Sequence, residues 1–297
     1  MKKEIIKKFK TDSEIEIKYN QALKEYTSFK IGGPTEVFII PKTVAALKRL
    51  LPAFNPEDTF ILGSGSNIIV SDQGISKVVV YTGKLNKISI TGNLITAESG
   101  ASLIEVSKKA ANASLTGLEF ASGIPGSIGG ALYMNAGAYG GEVKDIIKEA
   151  EFIDYSGQKV LLPKKELKLS YRDSILQHKD LVATKVTFSL AKGNLKEITT
   201  KIKELTEKRW TKQPMNSPSA GSMFKRKAGH YPGALIEKAG LKGYEINGAK
   251  VSEKHAGFII NQNNAQAKDV KKLVAEIQAK VYDKFSIKLE TEPKFIK

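Results

Sequence analysis

The chain has 297 residues, 41% hydrophobic and 26% charged, which suits two or three globular domains and excludes a disordered chain. It has no cysteine, so disulfides, thiolate metal sites and cysteine nucleophiles are excluded together. Its 47 basic and 31 acidic residues give a net charge of +16. Only Arg49, Arg172, Arg209 and Arg226 are arginines, and no RRM, zinc-finger or helix-turn-helix pattern accompanies the lysines, so no nucleic-acid partner is expected.

The opening stretch MKKEIIKKFKTDSEIEIKY is basic with scattered apolar residues. It lacks the apolar core of a signal peptide, and no later run reaches the roughly 20 residues of a membrane span. A soluble, cytoplasmic protein without membrane insertion is expected. Residues 1–25 read as a leading helix and connection. The run 26–34, YTSFKIGGP, brings a turn, and Glu36–Ile40 is a β-rich run closed by Pro41. Thr43 suits the cap of a helix with Val44, Leu47, Leu50 and Leu51 on one face.

Phe60–Leu62 is a strand pattern, followed by the loop Gly63, Ser64, Gly65, Ser66, Asn67 and a second apolar run, Ile68–Val70. A dinucleotide-binding GxGxxG needs a helix to start at its glycines, so that pyrophosphate meets the helix N-terminus. That helix is missing, which excludes a Rossmann site. Two readings of the loop stay open: a phosphate-cradling nest of N–H groups or a plain hairpin turn. Strand patterns continue at 77–81, 87–90 and 94–98, then an amphipathic helix at 101–113.

Gly117–Glu142 holds eight glycines in 26 positions and almost no charge. Glycine is favoured where backbone takes positive φ or comes very close to another group. The stretch reads as backbone pressed against a large, partly anionic ligand, with a set of turns as the alternative. Strands are expected at 146–155, 159–162 and 181–190, and a connecting helix over 194–210. A loop spans 214–229 and a short helix 232–239. A strand lies within 251–261, a clear amphipathic helix covers 267–285, and 286–296 reads as a final strand. The order of elements suggests a small N-terminal α/β part (1–55), a main domain around the glycine loops (56–193) and a C-terminal α/β domain (194–297).

Six segments occur in one order: 26–34, GSGSN at 63–67, GIPGSIGG at 123–130 with NAGAYG at 135–140, SYRDS at 170–174, SAGSMFK at 219–225, and ETEPKF at 290–295. In this combination the chain resembles the UDP-N-acetylenolpyruvoylglucosamine reductase (MurB) family of flavoenzymes, from about residue 26 to the C-terminus. The short spacing between the arginine and serine motifs is similar to the type II members. The resemblance implies an α+β chain. A PCMH-type (vanillyl-alcohol-oxidase-like) FAD-binding fold in two subdomains would precede a C-terminal substrate-binding domain.

It also implies noncovalent FAD, NADPH as reductant and UDP-N-acetylglucosamine enolpyruvate as substrate; a monomer is expected, although the residues themselves do not set the oligomeric state. Cofactor contacts would come from Gly63, Ser64, Gly65, Ser66 and Asn67 in the first loop. The second stretch would add Gly123, Ile124, Pro125, Gly126, Ser127, Gly129, Gly130, Asn135, Gly137 and Ala138.

Reducing an enolpyruvyl double bond requires hydride at one carbon and a proton at the other, with negative charge developing toward the carboxylate. Arg172 matches the family's fixed cation for that charge, beside the substrate contact Tyr171. Ser222 matches the family's proton donor, a role that needs neighbours and a dry site. Lys225 would contribute charge or bind the diphosphate, and Glu292 matches the glutamate that stabilises the enol. Two positions depart from the family pattern. Pro293-Lys294 stands where Val-Arg is common, and Arg226 where Asn is common. A PCMH-fold oxidase acting on another substrate is the competing enzyme class, and a salt-sensitive nucleic-acid binder the competing non-enzyme.

Overall fold

The computed structural model describes residues 6–226 and 229–297. The chain forms two compact units that are discontinuous in sequence. The first comprises residues up to Tyr19, Val37–Ser64 and Lys77–Glu207; the second comprises Asn20–Glu36, Gly65–Ser76 and Lys208–Lys297. The two short N-terminal stretches of the second unit carry no local sign that their partners lie two hundred residues away.

In the first unit, five antiparallel strands run in the order Lys159–Pro163, Ile147–Asp154, Leu181–Ser189, Leu94–Glu98, Ile88–Thr91. Helix Leu103–Asn112 packs its apolar stripe of Leu103, Val106 and Ala110 into the core beneath this sheet. Ser102 caps it, its Oγ accepting the Glu105 N–H at 3.4 Å. A second sheet has the order Ile15–Ala22, Pro34–Pro41, Val78–Tyr81, Thr59–Leu62, and its last three strands are parallel. Helix Val44–Leu50 buries Ala46, Leu47 and Leu50 against it, and Thr43 caps that helix as expected, accepting from Ala46 N–H at 3.1 Å.

In the second unit, Ser219–Ser222, Phe258–Asn261, Ala249–Val251 and Glu245–Ile246 form an antiparallel sheet in that order. Helix Ala267–Phe285 covers it with Val270, Leu273, Val274, Ile277 and Val281, spaced along one face. The helix starts against Asp72, whose two carboxylate oxygens accept the Ala267 and Lys268 N–H groups at 2.7 and 3.0 Å. An anion here satisfies orphan donors and complements the helix dipole. Ile68–Val70 pairs in parallel with Lys294–Ile296.

Four sequence expectations change. Residues 15–22 form a strand, their IEIKY alternation being strand-like; the expected leading helix otherwise falls partly on residues 1–5, outside the described residues. Ser219–Ser222 is a strand within the expected 214–229 loop, of which 227–228 lie outside the described residues. The final strand is only 294–296, since Ser286 turns left-handed (φ 56°) to end the long helix. The 63–67 loop is no hairpin turn, because the strands it joins enter different sheets.

Within the second unit, Gly65 has φ +59°, and a Cβ there would lie 2.1 Å from the Tyr26 carbonyl oxygen. Gly65→Ala should therefore destabilise the protein by more than about 1 kcal/mol, read as a fall in the thermal or urea midpoint. An unchanged midpoint would show that this approach is not needed.

Candidate functional site

The glycine centre is more built than a set of turns. Ser127 caps a short helix, Ile128–Tyr133, accepting the Gly130 N–H at 3.3 Å. The Ile128 and Gly129 N–H groups donate to Ala101 and Ser99 carbonyls at 2.9 and 2.7 Å, and Leu103 N–H donates to the Gly126 carbonyl at 3.0 Å. These contacts fix the stretch to the loop before helix Leu103–Asn112. Farther on, Gly137–Ala138 pairs with Gly141–Glu142 around Tyr139 and Gly140, both at positive φ as a tight hairpin requires.

The first loop meets this stretch at one point inside the first unit: a Cβ on Gly63 would lie 2.2 Å from Ser127 Oγ. Among the described residues, the N–H groups of Ser64, Gly123, Gly126 and Ser127 take no protein acceptor. Unspent donors around a glycine-lined contact suit the pyrophosphate of a dinucleotide such as FAD. The residues present therefore fit that group. Ile124 and Pro125 lie between the donors.

Asn135 is used differently. It is fully buried at φ 41°, its amide donates to Glu142 Oε2 (2.8 Å) and the Ser170 carbonyl (2.9 Å), and its oxygen accepts the Lys144 N–H (2.9 Å). Its side chain braces the glycine centre against the arginine motif.

That motif is a minimal hairpin. Ser170 and Asp173 exchange backbone hydrogen bonds of 3.2 Å each, leaving Tyr171 and Arg172 at the tip. Arg172 is at φ 58°, a left-handed conformation unfavourable for a residue with a Cβ, and its guanidinium lies over the Tyr171 ring, 4.9 Å from the centroid. Asp173 reaches His178 Nε2 at 2.9 Å. Burial, and then the Asp173 charge, push the Tyr133 phenol pKa up.

Ser222, Lys225 and Glu292 belong to the second unit and lie on two adjacent backbone runs. Glu292 N–H donates to the Met223 carbonyl (3.0 Å), Lys225 N–H donates to the Glu290 carbonyl (2.8 Å), and Phe224 bridges Thr291 between them. Ser222 ends its strand opposite Phe258, after Gly221 at φ 77°. It is exposed, and its Oγ has no protein partner among the described residues. Lys225 is ion-paired with the exposed Glu290, a pair weak enough to exchange for an anionic ligand.

Asn67 does not simply face a ligand. Its carbonyl accepts the Lys294 N–H (3.0 Å), and its amide donates to the Glu292 carbonyl (3.4 Å). The first loop thus ends by fixing the backbone that carries Glu292. Gly65 and Ser66 precede it in the same unit. His255 accepts the Gly257 N–H on Nδ1 (3.1 Å), and burial lowers its pKa. The Gly257 carbonyl in turn accepts the Met223 N–H beside Ser222 (2.8 Å).

Sequence reading missed Gln177 and Ser174, whose side chains donate to backbone carbonyls, and Tyr133, whose carbonyl accepts from both. Nothing in their local pattern separates them from ordinary loop and helix residues.

Residues 35–162 match the family model described as an FAD binding domain, and 213–296 match that of the UDP-N-acetylenolpyruvoylglucosamine reductase C-terminal domain. The chain is 48% identical, over 93% of its length and 92% of the relative's, to the UDP-N-acetylenolpyruvoylglucosamine reductase of Caldanaerobacter subterraneus subsp. tengcongensis. It is 47% identical to that of Clostridium perfringens over 96% of this chain and 94% of the relative. The crystal structure of UDP-N-acetylenolpyruvylglucosamine reductase from Thermus caldophilus superposes with a TM-score of 0.82 at 33% identity, covering 95% of this chain and 99% of that one.

Proposed function

The chain belongs to the UDP-N-acetylenolpyruvoylglucosamine reductase family, and from that premise we propose how its residues divide the reaction. It is an FAD-dependent oxidoreductase with a PCMH-type FAD-binding fold, and it reduces the enolpyruvyl ether of UDP-N-acetylglucosamine in peptidoglycan synthesis. Our reading takes NADPH as the reductant, a noncovalent cofactor and a cytoplasmic monomer.

FAD, when bound, supplies the hydride. The N–H groups of Ser64, Gly123, Gly126 and Ser127 would hold its pyrophosphate, with Gly63 leaving room beside them. Arg172 holds the substrate carboxylate as negative charge develops there, and its two-pronged guanidinium suits that geometry. Tyr171 packs beside it. Ser222 gives its proton to the carbon opposite hydride delivery, and Glu292 hydrogen-bonds the enol. Lys225 leaves Glu290 to meet the diphosphate. Lys294 keeps the charge of the family's usual arginine without its two-pronged geometry, whereas Arg226 puts a charge where the family usually has a neutral asparagine.

The observation that carries the reading is the cluster of unspent N–H donors where Gly63 meets Ser127, in the unit that also holds Arg172. The purified protein should be yellow, bleached by NADPH under anaerobic conditions, and recoloured by the enolpyruvyl substrate. A colourless protein that takes up no FAD on reconstitution would sink the reading. Reoxidation by oxygen and an alcohol-donor activity, with none by the enolpyruvyl compound, would favour an oxidase.

A further inference from the structure

Gln177 follows the arginine hairpin in a single helical turn, Ile175–Gln177. Its side-chain nitrogen donates to two carbonyl oxygens, that of Arg172 at 2.8 Å and that of Tyr133 at 3.1 Å. Both partners are acceptors only, so the amide orientation is fixed by chemistry. Tyr133 is the last residue of helix Ile128–Tyr133, whose final carbonyls have no partner within the helix. Ser174 Oγ donates to the same Tyr133 carbonyl at 3.0 Å.

The three braces of this hairpin are not equivalent. Asn135 grips its root at the Ser170 carbonyl, and Ser174 grips only the helix end. Gln177 alone among these three joins the tip peptide of Arg172 to the helix that begins at Ser127. The Arg172 backbone is left-handed, a state that persists only where its surroundings over-determine it. Fixing the Arg172 carbonyl fixes the peptide plane, and with it the direction in which the arginine side chain leaves the backbone.

We infer that Gln177 is a positioning residue for the reaction: it ties the Arg172 tip to the helix opened by the glycine centre, setting the guanidinium against the cofactor cradle. The inference rests on the proposed role of Arg172. It requires that Gln177 matter for the step that uses Arg172 and not for the step that does not. A displacement of about 1 Å in a group that orients substrate can cost about 10²-fold in rate.

The test is anaerobic stopped-flow absorbance on FAD-loaded Gln177→Ala, Gln177→Met, Arg172→Ala and the double variant Arg172→Ala/Gln177→Ala. Gln177→Met keeps the side-chain length without the donors, so it decides the matter if the alanine variant folds poorly. Both single Gln177 variants should slow flavin reoxidation by saturating enolpyruvyl substrate about 10- to 100-fold, with reduction by NADPH near the wild-type rate. The double variant should be no slower than Arg172→Ala. Full-rate reoxidation in Gln177→Met, effects that multiply in the double variant, or equal slowing of both half-reactions would each overturn the inference. If Arg172→Ala itself reoxidises at the wild-type rate, the proposed role of Arg172 has failed first, and the two failures are thereby told apart.

Discussion

Ser222→Ala should slow reoxidation of the reduced flavin by the enolpyruvyl substrate by about 10²- to 10⁴-fold, the usual worth of a general acid. Reduction by NADPH should stay near the wild-type rate. The substitution is as clean as this chain permits: Ser222 closes an edge strand, its Oγ serves no hydrogen bond within the described residues, and alanine suits the extended backbone. The fold therefore loses almost nothing when the hydroxyl goes. A serine hydroxyl is a weak acid in water, so its use depends on a charged neighbourhood supplied by its own unit. Glu292 and Lys225 lie on the runs that flank it, linked through Met223 and Glu290. Equal slowing of both half-reactions would contradict the proton-donor role.

Arg172 carries the second large effect. Arg172→Ala should slow substrate-dependent reoxidation by about 10²- to 10³-fold, as expected on removing a fixed stabiliser of developing charge. Arg172→Lys should recover only part of this, because an ammonium lacks the two-pronged fit to a carboxylate. The backbone adds a control that side-chain chemistry alone does not. At φ 58°, a Cβ costs about 1–2 kcal/mol. Arg172→Gly should therefore unfold at a higher temperature than Arg172→Ala while being equally impaired in reoxidation. Both variants lose the contact with the Tyr171 ring, so their difference isolates backbone strain. If the alanine variant is the more stable, the left-handed tip is not strained.

The two glycine loops were legible because the demands there are local: positive φ and a missing Cβ. Arg172, Ser222 and Glu292 were singled out by the order of the motifs, since a turn serine, a surface arginine and a carboxylate near the chain end carry no local signal of their own. Helix 267–285 was legible because five apolar residues share one face. The uses of Asn67 and Asn135 were not. An asparagine in a glycine-rich loop suggests a ligand contact, yet both amides are committed to backbone carbonyls of segments 35 and 225 residues away. Gln177 was invisible for the same reason. Strand 15–22 was misread because only Ile15 to Tyr19 alternate, too short a run to stand out behind the Lys-rich opening stretch.

The pairing of Ile68–Val70 with Lys294–Ile296 has a consequence for how the protein is made. Phe29, Ile31 and Ile69 belong to a core whose other members begin at Ala220. During synthesis these residues emerge early and stay without their partners while the remaining chain is added, about 10–45 s at roughly 5–20 residues per second. The first unit can fold in that interval, since its strands and helices are complete by Glu207. The second unit cannot close until the last strand arrives. Its apolar N-terminal pieces are thus the surfaces that a nascent-chain chaperone would meet, and the final three-residue strand is the step that ends their exposure.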